Sequence, residues 1–236
     1  MRERRRRLVA VLVVLAVVLG GAAATTLQQR GQDSPQPPAT TQHAQSVAAD
    51  ALQTLAVKGR APKTGYSRDQ FGSGWKDLGD CDTRNYILKR DLTNVQVRSA
   101  TDCTVLSGTL HDPYTDKIIQ FTRGPGTSTM IQIDHVVALS DAWQKGAQQL
   151  TPETREQLAN DPLELLAVDG PTNQAKSDGD AATWLPPNKG YRCQYVARQI
   201  AVKAKYKLWV TSGEHDAMQR ILDTCPGQAL PAVTSQ

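Results

Sequence analysis

The residues of this sequence that could do chemistry begin with an adjacent carboxylate and imidazole, Asp134 and His135. They stand in the strand-like run MIQIDHVVAL, in a chain that has four histidines. Neighbouring side chains on a continuing strand point to opposite faces, but a bend at the pair lets both converge on one cleft. Such a pair suits phosphodiester hydrolysis, because a carboxylate can hold a divalent cation against the phosphate while a neutral imidazole takes a proton from water. Taken alone, the pair favours the alternative of a structural hydrogen bond.

A second group of polar residues follows the apolar run LELLAV, at Asn173, Lys176, Asp178 and Asp180. Asn173 comes 38 residues after His135. If the intervening turn leads into a helix, Asn173 and Lys176 lie three residues apart on one face. An amide oxygen is a hard neutral ligand suited to Mg²⁺, and a lysine can hold a phosphate as a point charge. The two segments together predict a site whose halves come from separate parts of the chain.

The elements that must position these residues are short strands followed by helices, which indicates an α+β fold. Runs of alternating or apolar residues predict strands over residues 85–99, 102–110, 118–123, 130–139 and 163–168. Helical patterns are found over residues 46–55, 140–147, 171–179, 191–210 and 214–225. Two helix starts are marked by their residues: Thr151 as N-cap before Pro152, and a capping box from Thr211 to Glu214.

The ends of the chain differ in composition from the middle. Residues 1–24 combine an Arg-rich start, an apolar run and an Ala-Ala-Ala site, which predicts a cleaved secretory signal, with an uncleaved outward-facing N-terminal anchor as the alternative. Residues 25–45 are rich in Gln, Thr and Pro and predict a disordered linker. Residues 46–228 are long enough for one domain with its own core, and residues 229–236 are expected to be a disordered tail. We expect secretion, no stable membrane association after cleavage, and a monomer.

The formal charge of +4 does not argue for a nucleic-acid partner. Five arginines and one glutamate leave with the signal, so 22 basic and 22 acidic residues remain. Any such argument is local, and the local feature is residues 188–213, which hold six Lys and Arg residues and no acid. The residues predicted to contact nucleic acid are Lys189, Arg192, Arg198 and Lys203. A solvated helix face is the alternative.

The four cysteines all lie in the mature part of the chain, and an even number in an exported chain suggests disulfides. Of the three connectivities, the sequential one, Cys81–Cys103 with Cys193–Cys225, closes two local loops and is the one we expect. Zinc is the alternative, although the sequence has no C-x-x-C pair or Cys/His cluster.

The two polar segments resemble the HNH, or ββα-metal, nucleases. Asp134-His135, a strand and N-Q-A-K-S-D are similar to the Asp-His, strand and N-R-G-K-S-D of the HNH domain of RNA-guided CRISPR nucleases. The sequence is still more similar to a family of secreted bacterial HNH-type proteins related to the C-terminal domain of modification-dependent restriction enzymes. Further similar segments are A-W at 142–143, N-D-P at 160–162, W-L-P-P at 184–187, Y-S-R-D-Q-F-G-S-G-W at 66–75, C-D-T-R-N at 81–85 and Y-R-C-Q-Y-V-A-R-Q at 191–199.

The resemblance implies a ββα-metal core and assigns roles within it. His135 would be the general base, and Asp134 and Asn173 would ligate one Mg²⁺, or Mn²⁺ as the alternative, leaving a 5′-phosphate and a 3′-hydroxyl. Lys176 would be a phosphate contact, and Asp178 a supporting partner or an additional ligand. The similar C-D-T-R-N segment suggests that Arg84 brings its guanidinium to the scissile phosphate, with a structural salt bridge as the alternative.

One position departs from the HNH pattern. Where those nucleases have an Asn in the second strand that fixes the loop of the catalytic His, this chain has Glu164, and an ionised Glu can accept but not donate a hydrogen bond. We therefore expect a secreted, metal-dependent endonuclease of little sequence specificity, acting on DNA, with RNA as an alternative substrate. A non-catalytic secreted nucleic-acid-binding module that keeps the fold is the alternative function.

Overall fold

The computed structural model describes residues 47–99 and 101–231, in which most strands precede most helices along the chain. The helices are α1 (Ala48–Thr54), α2 (Thr83–Asp91), α3 (Leu139–Gln144), α4 (Pro152–Ala159), α5 (Gly170–Lys176), α6 (Arg192–Lys205) and α7 (Ser212–Leu222). The strands are β1 (Asp77–Leu78), β2 (Cys81–Asp82), β3 (Leu92–Ser99), β4 (Asp102–His111), β5 (Ile118–Thr122), β6 (Ile131–His135) and β7 (Leu165–Asp169). The expected signal (1–24) and linker (25–45) lie outside the described residues.

The strands form three small antiparallel sheets: β1 with β2, β3-β4-β5, and β6 with β7. In the last of these, Ile131 is opposite Asp169 and His135 is opposite Leu165. The helix α5 begins at the residue after β7, so β6, β7 and α5 make a ββα unit. The mixed fold expected from the sequence is confirmed.

The strand β7 lies between two apolar clusters and is buried along its whole length. Leu165 and Ala167 face a cluster formed with α2 and the three-stranded sheet, whereas Leu166 and Val168 face a larger cluster formed by the helices. A strand buried on both faces has a continuous apolar sequence rather than an alternating one, which accounts for LELLAV. The strand pair that carries the site is thus held from both sides.

The predicted helix starts are confirmed where capping residues mark them. Thr151 caps α4 with Pro152 in its first turn, and Thr211 caps α7 by accepting the amide of Glu214. The strand predicted over residues 85–99 is wrong in its first half, because residues through Asp91 belong to α2. Asp82 accepts the amide of Asn85 and starts that helix, which is the stabilising N-cap interaction that the apolar run obscured.

Both expected disulfides are present, Cys81–Cys103 and Cys193–Cys225. Ala229 pairs with Val47, and Leu230 packs on the larger apolar cluster, so these two residues of the expected tail (229–236) belong to the fold. The described residues belong to a single compact unit. No helix among them has both the length and the apolar composition that a membrane span requires.

Candidate active site

The structure brings the two predicted halves of the site to one cleft of about 530 Å³. Asp134 and His135 line it from the end of β6, and Asn173 lines it from α5. The side-chain amide of Asn173 donates to Oε1 of Gln132 at 3.0 Å, which ties α5 to β6. The pairing of β6 with β7 and the immediate start of α5 therefore juxtapose residues that are far apart in the chain.

The imidazole of His135 is held in one orientation by a carbonyl and an indole. Its Nε2 lies 3.0 Å from the carbonyl oxygen of Ala159. A carbonyl only accepts, so Nε2 carries the proton and Nδ1 keeps its lone pair. The ring of Trp75 stacks on the imidazole, with centroids 5.8 Å apart and planes 8° from parallel. Burial, and then the charge of Arg68, lower the pKa of His135 to about 3, so the ring is neutral at physiological pH.

The carboxylate of Asp134 is buried and has a partner on each oxygen. Its Oδ1 accepts from the ammonium of Lys176 at 2.8 Å, and its Oδ2 accepts from the hydroxyl of Tyr114 at 2.5 Å. Burial raises the pKa of Asp134 above its ordinary value, although the charge of Lys176 acts in the opposite direction. Asp134 is thus fixed in position by two donors from different parts of the chain.

The position of Lys176 corrects the prediction that it contacts phosphate. Its side chain is fully buried, and its ammonium donates both to Asp134 and, at 2.7 Å, to the carbonyl oxygen of His135. A lysine held in this way does not face the cleft. Lys176 orients the two residues that do.

Glu164, the position that departs from the HNH pattern, still supports the loop after His135. The side-chain oxygens of Glu164 accept the main-chain amide of Val137 at 3.3 and 3.2 Å, and its carbonyl oxygen accepts that of Val136 at 2.9 Å. Burial raises the pKa of this carboxyl well above its ordinary value. Glu164 therefore holds the loop through its acceptors, which an acid can supply as well as an amide.

Asp178 and Arg84 both line the cleft, but in different settings. Asp178 is half-exposed and accepts from Lys63 and from the hydroxyl of Ser140, each at 3.2 Å. The Nη2 atom of Arg84 donates to the carbonyl oxygens of Ser128 and Ile131, each at 3.3 Å. The salt-bridge alternative for Arg84 is not what the structure shows, since its partners are carbonyl groups.

Arg68 and Trp75 are among the cleft residues that had no role assigned from the sequence. Both belong to the segment Y-S-R-D-Q-F-G-S-G-W, whose similarity to the family was visible. The signal in the sequence that could have identified them is an arginine and a tryptophan within a polar segment that contains glycines.

The predicted nucleic-acid contacts of the basic stretch lie outside this cleft. Lys203 is fully buried and lies 3.0 Å from a carboxylate oxygen of Glu214, so its prediction as a surface contact is wrong. Arg192 and Arg198 are half-buried and donate to main-chain carbonyl oxygens. Lys189 is exposed. The cations that line the cleft are instead Lys63, Arg68 and Arg84.

The oxygen atoms of the cleft fit a hard divalent cation. A carboxylate has acceptor directions beyond the two that Lys176 and Tyr114 use, and the amide of Asn173 spends its NH₂ on Gln132 and keeps its oxygen. Mg²⁺ needs only one or two protein oxygens of this kind, since water and phosphate complete its coordination. Asp134 and Asn173 are the residues that would hold it.

The chain belongs to the family described as GmrSD restriction endonucleases, C-terminal domain, which it matches over residues 82–221. This membership indicates a nuclease-related domain. A relative described as an uncharacterized secreted protein, from Arthroderma benhamiae, is 38% identical over 194 residues, which cover 81% of this chain and 91% of the relative. The relative is fungal, so the family is wider than the bacterial group expected from the sequence.

Proposed function

We propose that the protein is a secreted, metal-dependent endonuclease of the HNH type, which hydrolyses phosphodiester bonds of DNA, or of RNA, with little sequence specificity. The observation that carries the proposal is the setting of His135. Its Nε2 is committed to the carbonyl of Ala159, and its ring lines the same cleft as Asp134 and Asn173. A neutral imidazole with a fixed tautomer, beside hard oxygen ligands, is suited to deprotonate water for attack on a phosphate.

In the proposed reaction, Nδ1 of His135 takes a proton from water while the water oxygen bonds to phosphorus. The bond from phosphorus to the 3′ oxygen breaks, leaving a 5′-phosphate, and the 3′ oxygen takes a proton from solvent. The pKa of the imidazole, about 3, is low because of burial and the charge of Arg68, and the negative charge of a bound phosphate acts in the opposite direction.

The other residues hold this arrangement. Lys176 orients Asp134 and the main chain of His135, and Glu164 fixes the following loop. A divalent cation held by Asp134 and Asn173 would supply charge stabilisation for the phosphate oxygens and the leaving oxygen.

The test is a plasmid-nicking assay with Mg²⁺ and with Mn²⁺. We expect nicking to stop in EDTA and to fall at least about a hundredfold in His135→Ala, the scale of a lost general base. The matched control is His111→Ala, because His111 is exposed at the end of β4 and does not line the cleft. Cleavage that persists in His135→Ala would exclude His135 as the base.

The alternative of a binding module without catalysis was favoured by Glu164. Since Glu164 contacts the loop that the HNH asparagine would hold, this residue no longer favours it. Binding of DNA by the wild type without turnover under any divalent cation would restore that alternative.

Secretion is the part of the proposal that rests on the N-terminal sequence, the two disulfides and the relative described as secreted. Disulfides persist in oxidising compartments, so the two bridges agree with export. Mass spectrometry of protein recovered from culture medium tests it: a mature chain beginning near residue 25 is expected. A chain that stays in the membrane fraction with an intact N-terminus would support the anchor.

A further inference from the structure

Arg84 places a guanidinium without a carboxylate partner in the cleft. It is half-buried, and both of its hydrogen bonds go to carbonyl groups, at Ser128 and Ile131. Among the described residues, the arginines that form ion pairs are Arg60, Arg90 and Arg98. The charges that act on Arg84 are those of a second cation, Arg123, and of the carboxylate Asp82, with which it forms no ion pair. Carbonyl groups fix the guanidinium in place without pairing its charge directly.

Arg68 contributes a second cation to the cleft, and among the described residues it forms no ion pair. Its side chain is exposed. The short helix that carries it, Arg68–Phe71, is anchored by Phe71, which packs edge-on against Trp143, and by a hydrogen bond from Arg155 to the carbonyl of Gln70. The backbone that carries Arg68 is therefore held in place.

Arg84 is held away from the candidate base along β6. Its Nη2 atom donates to the carbonyl oxygen of Ile131, the first residue of the strand, whereas His135 is the last. Four residues of strand span about 13 Å. A phosphate beside His135 therefore leaves the guanidinium of Arg84 available for a second phosphate. Arg68 lines the same cleft from a different segment of the chain.

We propose that this cleft binds a nucleic-acid strand through two phosphates: Arg68 contacts the phosphate attacked beside His135, and Arg84 contacts a flanking phosphate further along the same strand. The inference rests on the proposed function and names its substrate class, which is an oligonucleotide strand rather than an isolated phosphodiester. It also assigns Arg84 to a phosphate other than the scissile one.

The test measures equilibrium binding in EDTA, so that turnover plays no part. Fluorescence anisotropy is recorded with base-labelled single-stranded thymidine oligomers of two and six nucleotides, at several salt concentrations. Because hydrogen bonds to charged groups are strong, we expect Arg84→Gln to weaken binding of the hexamer about tenfold more than binding of the dimer. The slope of log K against log salt for the hexamer should also become shallower by about 0.7, the value for one lost phosphate contact on a single strand.

Two further variants keep the result interpretable. Arg220→Gln removes the same charge from an exposed position on α7 and should leave the ratio of the two affinities unchanged. Arg68→Gln should weaken the dimer and the hexamer by similar factors, because both place a phosphate beside His135. Thermal unfolding monitors each variant, and Arg84→Lys, which keeps the charge, replaces Arg84→Gln if the latter does not fold; a partial loss confined to the hexamer is then expected.

Equal weakening of dimer and hexamer by the Arg84 variant, or no weakening of the hexamer, overturns the inference. Its failure is distinguishable from failure of the proposed function. A protein that nicks plasmid DNA but shows no length-dependent loss in the Arg84 variant keeps the function and loses the second subsite. A protein that shows that loss in EDTA but never nicks DNA keeps the subsite and loses the catalytic proposal.

Discussion

The carboxyl group of Glu164 accepts the main-chain amide of Val137, two residues beyond the candidate base His135. The contact joins the loop after β6 to the residue that immediately precedes β7. Glu164 is fully buried, and burial raises its pKa well above the ordinary value. Burial thus disfavours the charged form of this carboxyl, and the carbonyl oxygen that a protonated carboxyl keeps is also present in a side-chain amide. Either type of side chain therefore has an acceptor oxygen for Val137.

The first prediction follows from that equivalence. Glu164→Gln should keep the fold and most of the plasmid-nicking rate, because the amide oxygen can still accept from Val137. Glu164→Ala should lower the free energy of unfolding by about 2–3 kcal/mol, since a buried amide loses its partner, and should lower the nicking rate more than tenfold. Urea unfolding and nicking rates measure the two effects. Glu153→Ala, an exposed change on α4, is the control. Equal activity of Glu164→Ala and the wild type would show that the loop needs no brace.

Trp75 gives the second prediction, because its stacking orients the imidazole rather than the fold as a whole. Trp75 is half-exposed, whereas the ring it covers is buried. Trp75→Ala should lower the nicking rate at least about tenfold, since small misplacements of a reacting group are costly, and Trp75→Phe should lower it less. In the His135→Ala background, Trp75→Ala should cause no further loss, because the ring that it positions is absent. A similar further loss in both backgrounds would assign Trp75 to substrate contact or folding instead.

A buried charge network supports the elements on either side of the cleft. The ammonium of Lys145 lies 2.8 Å from Asp141, 2.8 Å from Asp180 and 2.6 Å from Glu214, and all four side chains are buried. Lys203 shares two of these carboxylates. The network joins the loop after α5, the start of α7 and the helix that follows His135. Removal of one partner would leave a buried charge uncompensated, which is strongly destabilising.

The pH dependence of stability tests this network at Asp180. Burial acts to raise its pKa, but the hydrogen bond and charge of Lys145 and the charge of Arg60 outweigh burial and lower the pKa to about 2. Because the folded pKa lies below the unfolded value of about 3.9, the stabilisation is present above about pH 4 and is lost as the pH falls towards 2. It amounts to about 2.5 kcal/mol.

The stability difference between wild type and Asp180→Asn should therefore be largest above pH 5 and shrink steadily towards pH 2. Thermal and urea unfolding across that range measure it. Asp50→Asn, at an exposed position on α1, is the matched control and should show no such trend. A difference that stays constant with pH would mean that the ionised carboxylate is not what Asp180 contributes.

The residues of the candidate site could be proposed from the sequence where a polar side chain lies at or shortly after an apolar run. Asp134, His135 and Asn173 are such residues, and strand pairing with a following helix brings these parts of the chain together. Lys176 and Lys203 could not be placed in the same way. Their partners, Asp134 and Glu214, lie 42 and 11 residues away in the chain, so the sequence shows the charge without its burial. The basic stretch therefore predicted a nucleic-acid contact at Lys203, where the structure has a buried ion pair.

The helix α2 was missed for a local reason. The run from Tyr86 to Leu88 has the apolar character of a strand, and only the cap formed by Asp82 and Asn85 marks the start of a helix. That cap also positions Arg84, which lies within the first turn of α2. In this part of the sequence, the capping residues therefore indicate the helix, whereas the apolar periodicity does not.

Gly170 gives the last prediction, because it sets how closely α5 follows β7. A Cβ at this position would overlap the carbonyl oxygen of Thr129 and lie 3.3 Å from that of Met130. Both neighbours are main-chain atoms, which cannot rotate away as a side chain could. The amide of Gly170 donates to the carbonyl of Met130 at 2.9 Å, so the two segments are also hydrogen-bonded at this close approach.

Gly170→Ala should lower the free energy of unfolding by about 2–4 kcal/mol, in the range of overpacked or strained sites. Since α5 must then move, the hydrogen bond from Asn173 to Gln132 should weaken, and the nicking rate should fall more than the loss of folded protein explains. Gly59→Ala is the matched control, because a Cβ there meets nothing within 4 Å. Urea unfolding and nicking rates corrected for the folded fraction are the measurements, and a Gly170→Ala protein as stable and active as the control would show that α5 tolerates displacement from β7.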